Sequence, residues 1–209
     1  YVAFGFYINK AANPFITPAF FKNTRWLRAI SLILVFYFVN YALSPIFNAI
    51  GTSIYHMTTT QVSLHIVWAF VVAAVVGTCS GMIIGKIGIK AGLVTAGTLM
   101  FVGWTGAAFC VNSGFVVLTV WACVFYAGCG MMYFPVVSTV LGTIEKDESG
   151  RGVGMNDLAM NVSPSIGIAI FGSLLAGVPA VDEAGSAAAR AAAATGYSQL
   201  LLIAAGVIL

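Results

Sequence analysis

Long apolar runs alternate with short polar turns along almost all of the chain. The first complete run covers Trp26 to Ile50, the second Val62 to Ile84 and the third Ala91 to Val111. A fourth extends from Phe115 to Leu141 and a fifth from Gly152 to Val178. Each exceeds about eighteen residues, the length at which an apolar stretch reads as a bilayer-spanning helix. Two partial runs flank them, Tyr1 to Ile8 at the start and a segment from near Tyr197 to Leu209 at the end. Roughly a dozen apolar residues are too few to cross about 30 Å of hydrocarbon, so the end segments read as cut spans of a longer protein. The pattern predicts an all-α transmembrane bundle of about six to seven spans, with the first and last truncated.

The segments between the runs carry turn chemistry. Pro14 and Pro18 deny Asn9 to Thr24 a continuous helix. Residues 1–24 therefore read as the end of a linker span plus a connector along the membrane surface, and 25–209 as the bundle. Gly51 to Gln61, Asn112 to Gly114 and Glu145 to Gly150 are polar turns, and Pro179 to Ser198 reads as an alanine-rich outer loop, either irregular or helical in part. The stretch Gly77 to Gly92, GTCSGMIIGKIGIKAG, differs from the others. Gly77, Gly81 and Gly85 recur every four residues, and Gly88, Lys86 and Lys90 follow or interleave. That spacing predicts a tight basic turn between two spans that pack closely through their glycines.

Composition agrees with this class. Charged residues make up 7% of the chain and apolar residues 60%, whereas about a quarter of an ordinary soluble domain is charged. Alternating the spans puts Lys10, Lys22, Arg25, Arg28, Lys86, Lys90, Lys146 and Arg151 on one side and Arg190 on the other. The positive-inside rule makes the majority side cytoplasm, and a multi-pass protein of the plasma membrane is the expectation. A net charge of +3 scattered through loops is not a nucleic-acid footprint.

Candidate chemistry is sparse. Tyr37, Tyr41, Ser44 and Asn48 share one helical face of the first span, with Asn40 beside them. Unsatisfied polar groups are costly in hydrocarbon, so this stripe bonds other helices or, the reading we favour, walls a polar cavity. Pro45 bends the same span. Tyr126 and Tyr133 on the fourth span and Asn156 and Asn161 on the fifth are further cavity candidates. Asp157 is the one carboxylate within reach of the membrane interior, on a face with Asn161 and Ser165. It is either a proton carrier or counter-charge, or an interfacial aspartate held by its helix N-terminus. His65, near the outer end of its span, is a proton or ligand site or simply solvated. Cys79, Cys110, Cys123 and Cys129 lack ligand spacing and read as small packing residues. No nucleophile set, paired carboxylates, metal motif or phosphate loop is present, so an enzyme is not expected, nor a cofactor.

Gly81-Met-Ile-Ile-Gly85-Lys86-Ile-Gly88-Ile-Lys90 resembles the signature loop of the major facilitator superfamily, with Gly85 where that pattern carries an acid. The connector NPFITPAFFKN is similar to the link that opens the second half of fourteen-span drug:proton antiporters. The run from Tyr133 through GIAIFGSLL resembles their penultimate-span region, most of all that of Gram-positive tetracycline–metal/proton antiporters. The resemblance implies the C-terminal half of a secondary transporter that exports a drug-like compound, tetracycline class favoured, in exchange for protons. Its implied partners are the drug, protons, the bilayer and a missing N-terminal half. The resemblance also implies a cytoplasmic gating loop at Gly81, Gly85, Lys86, Gly88 and Lys90, and a penultimate-span glutamate at the level of Ser163 or Pro164. With no glutamate there, Asp157 is the proton-coupling candidate. The alternatives are a metabolite transporter of the same superfamily and a non-transporting membrane scaffold subunit.

Overall fold

The structure, a computed structural model, describes residues 24–142, 149–179 and 187–208. The described residues form seven helices: α1 (Thr24–Asn40), α2 (Leu43–Ser53), α3 (Thr59–Ile87), α4 (Ile89–Phe109), α5 (Phe115–Leu141), α6 (Ser149–Ala176) and α7 (Ala187–Ile208). Helices α1 and α2 join end to end in one span, so the described residues hold six stretches long and apolar enough to cross a bilayer. The chain is a multi-pass membrane protein. The opening apolar run, the connector with Lys10 and Lys22, and the loop with Lys146 lie outside the described residues.

The first span is broken rather than bent. Pro45 has no N–H to give to the Tyr41 carbonyl, and its ring crowds that same group. The chain therefore turns at Tyr41 and Ala42, where the Ala42 amide bonds the Val39 carbonyl at 3.2 Å, and restarts as α2. This corrects the expectation of one continuous polar face from Tyr37 to Asn48. Helix α3 opens on a capping box: Gln61 N–H donates to the Thr58 hydroxyl at 3.3 Å, and the Thr58 amide donates to Gln61 Oε1 at 2.9 Å. It closes at Gly88, whose φ of +84° is open to glycine and strained for other residues. A single residue thus separates α3 from α4.

The Gly81 and Gly85 part of the expected seam between those two helices is not there; the glycine that approaches across the turn is Gly92 of α4, where a β-carbon would lie 2.9 Å from Ile84 Cγ1 of α3. A β-carbon added at Gly81 or Gly85 would meet nothing within 4 Å. Both α3 and α4 pack instead on α5, while α6 packs on α1 and α7 on α4. The close backbone approaches lie elsewhere: a β-carbon on Gly130 of α5 would collide with the Ala73 carbonyl of α3, and one on Gly167 of α6 with the Phe38 carbonyl of α1. One on Gly103 of α4 would lie 2.6 Å from the Phe125 amide nitrogen. Without a hydrophobic force between helices in lipid, such small-residue contacts let backbones pack.

A second correction concerns the C-terminal segment. Helix α7 begins at Ala187, ten residues before Tyr197, and its 22 residues are enough to span. The alanines expected in a loop are the strongest helix formers, and Ala193 and Ala194 are buried.

At the end of the bundle opposite the Lys86–Lys90 turn, Tyr55 ties two loops together. Its hydroxyl donates to the Val111 carbonyl at 2.7 Å and accepts from the Gly114 amide at 3.0 Å. Tyr55 and His65 both set their rings against Phe115, at 5.6 and 5.1 Å. Tyr55→Phe is expected to lower stability by about 1 kcal/mol, measurable as a reduced apparent melting temperature in detergent.

Candidate functional site

The break at Tyr41 opens a cavity of about 760 Å³ between α1, α2, α3 and α5. Helix α1 and its turn supply Tyr37, Asn40 and Tyr41, and α2 adds Ser44. From α5 come Tyr126, Cys129 and Tyr133, spaced three to four residues apart and so on one face. Helix α3 contributes Phe70, Gly77 and Thr78. The rings are arranged in contact. Tyr37 stacks on Tyr41 with centroids 6.5 Å apart, and Phe70 tilts against Tyr126 at 4.8 Å. Tyr37 and Tyr126 are buried, at 6% and 4% exposure, whereas Tyr41 and Tyr133 are half exposed at 50% and 53%.

None of the lining side chains among the described residues is charged. The polar groups are phenols, the Asn40 amide, two hydroxyls and one thiol, set among aromatic faces. Such a surface can stack a planar ring, hydrogen-bond a few oxygen or nitrogen atoms and hold a cation against π-faces. Among the described residues no cluster of three His, Cys, Asp or Glu side chains is placed to hold a metal ion.

Six of the residues singled out from the sequence, Tyr37, Asn40, Tyr41, Ser44, Tyr126 and Tyr133, meet in this cavity. Asn48 lies beyond the break, one turn past Ser44, and does not line it. Asn156, Asp157 and Asn161 stand on α6, which does not reach it. Asn156 is buried at 6% exposure: its amide nitrogen donates to Met160 Sδ at 3.1 Å, and its oxygen has no partner among the described residues. Asp157 and Asn161 are exposed, in one stripe with Ser165. Asn161 Nδ2 donates to the Asp157 carbonyl at 2.7 Å, and Ser165 Oγ donates to the Asn161 carbonyl at 3.0 Å. At the level where the resemblance implies a glutamate, the Ser163 hydroxyl donates to the Leu34 carbonyl and joins α6 to α1. Lys86 and Lys90 are exposed beside Gly88 at the turn.

Phe36, Phe70 and Cys129 also line the cavity and carry no signal in the sequence. An aromatic or a cysteine on a helix that is apolar all round offers no contrast by which to choose its face.

This geometry can be set beside known proteins. The chain is similar to a drug-resistance protein. Multidrug resistance protein Stp of Mycobacterium tuberculosis is 19% identical over 167 residues, in strain CDC 1551 / Oshkosh and in strain ATCC 25618 / H37Rv. The alignment takes in 80% of this chain and 31% of each relative, so the chain matches less than a third of their length. No protein-family model matches the chain, and no solved structure matches it.

Proposed function

We propose that this chain is the C-terminal half of a major-facilitator exporter that carries a drug-like aromatic compound, tetracycline class first, out through the plasma membrane in exchange for protons. The observation that carries the reading is the uncharged, tyrosine-lined cavity of about 760 Å³ inside a membrane-spanning bundle. Similarity to a protein named for multidrug resistance supports the same class of cargo. A cavity without cationic side chains gives an anionic metabolite no counter-charge, which favours a drug over that alternative. A scaffold would have no use for a polar aromatic cavity, and a transporter needs no catalytic set.

In this reading the N-terminal half closes the cavity from its open side, and rocking of the two halves alternates its access. Tyr37, Asn40, Tyr41, Tyr126 and Tyr133 hold the cargo. The Asp157 stripe on α6 carries the proton outside the cargo cavity, because a carboxylate facing hydrocarbon needs a functional or charged partner. Lys86 and Lys90 sit at the cytoplasmic turn as gate and topology anchors.

The test is uptake of labelled tetracycline into inverted vesicles containing the full-length protein, with and without an imposed proton gradient. Gradient-dependent accumulation is expected. Accumulation equal to that of empty vesicles removes tetracycline, and gradient-independent accumulation removes proton exchange. Asp157→Asn is expected to reduce the gradient-dependent part to background while cargo binding, measured by equilibrium dialysis, persists. Unchanged gradient dependence in that variant would remove Asp157 from the coupling role.

A further inference from the structure

Phe36 walls a second cavity, of about 430 Å³, between α1, α4, α5 and the end of α7. Leu32, Val35, Val94, Gly97, Met132 and Ile208 form much of its lining, and among the described residues its only polar side chain is Thr98. That hydroxyl is already satisfied, donating to the Val94 carbonyl at 2.8 Å. The rim is exposed: Leu32 at 39%, Val35 at 41% and Val94 at 69%. The floor, Phe36 and Met100, is buried.

A groove with no free polar group cannot hold ordered water, which needs two or more partners. Left empty, its lining loses dispersion contacts outright. The rim belongs to helices long and apolar enough to cross a bilayer, so the medium at the groove mouth is lipid hydrocarbon. We propose that this groove is a binding site for a phospholipid acyl chain, which lies along Val94 and Gly97 and ends against Phe36. Phe36 is the one side chain common to this groove and the tyrosine cavity. Its ring meets Tyr37 edge to face at 4.8 Å. An acyl chain in the groove therefore fixes the ring that walls the tyrosine cavity. The site stands on the membrane-spanning fold and does not depend on the export reading.

Gly97 makes the proposal testable. A β-carbon there meets nothing within 4 Å, so a leucine side chain has room to enter the groove. The full-length protein is reconstituted in phosphatidylcholine vesicles doped with phosphatidylcholine bearing a photoactivatable diazirine near the acyl-chain end. Cross-linked residues are then mapped by mass spectrometry. Labelling is expected to concentrate on 32–36 and 93–101, several-fold above the exposed Val116 to Val120 face of α5. Gly97→Leu is expected to abolish the excess and leave labelling of α5 unchanged. Gly172→Leu on α6, also facing open space, is expected to leave the excess intact. If Gly97→Leu fails to fold, Val94→Trp at the exposed rim narrows the mouth and is expected to give the same loss. Equal labelling of α4 and α5, or an excess that survives the groove-filling variant, overturns the proposal. So does an excess that Gly172→Leu also removes.

Discussion

Gly130→Ala is expected to separate α3 from α5 and to lower the apparent melting temperature of the protein in detergent by roughly 10 °C. One methyl group suffices because everything it meets is backbone. It collides with the Ala73 carbonyl oxygen and lies 3.0 Å from the Gly77 nitrogen. A flexible side chain could swing aside, but a helix backbone moves only as a whole. Overpacking of this kind costs about 1–3 kcal/mol in a well-packed interior, and more where the clash is with main chain on both sides. The loss weighs heavily because α5 is the hub on which α3 and α4 both pack. Gly85→Ala is the matched control. It lies on α3 with nothing near its β-position, so removing a helical glycine is expected to be neutral or to stabilise by up to about 1 kcal/mol. If the two variants melt together, the α3–α5 seam is not where the structure puts it.

That pair of glycines also shows what could be read from the chain and what could not. The spans were legible because a bilayer forces each crossing to be a long apolar helix with its own hydrogen bonds. The tyrosines and Asn40 were legible as cavity residues because a polar group in an apolar helix must find protein or water. Helix neighbours were not. Gly77, Gly81 and Gly85 form a stripe by spacing, yet only at Gly77 would a β-carbon meet another helix, 3.7 Å from the Gly130 carbonyl. Spacing marks a smooth surface and does not say which helix uses it. Asn48 was misplaced for a different reason. Spacing puts it on that face only along a continuous helix, and the chain breaks at Tyr41 where Pro45 strips and crowds the carbonyl four residues back. The start of α7 is hidden because an alanine run that carries Arg190 reads as a polar loop, although alanine favours helix most strongly.

The second large effect is expected at Tyr41 and Tyr133, and it falls on transport alone. Both line the tyrosine cavity and both are half exposed, so truncation leaves little buried space behind and costs the fold little. Tyr37 and Tyr126 are poor probes by comparison, since they are almost fully buried and their loss would disturb packing as well as binding. An aromatic contact contributes about 0.5–1.5 kcal/mol beyond burial. Losing two of them should therefore weaken an aromatic cargo by about 2 kcal/mol, roughly thirty-fold in affinity. The double variant Tyr41→Ala, Tyr133→Ala in the full-length protein is expected to show that loss in equilibrium binding of labelled tetracycline, at an unchanged melting temperature. Asn48→Ala, on the same span but past the break, is expected to bind as wild type. If the α2 variant fails and the tyrosine variant binds normally, the cargo follows the continuous face counted from the sequence. The broken span would then not be the feature that builds the site. Conservative Tyr→Phe changes separate the two contributions of each residue. Retained binding assigns the effect to the ring, and a loss equal to that of alanine assigns it to the hydroxyl.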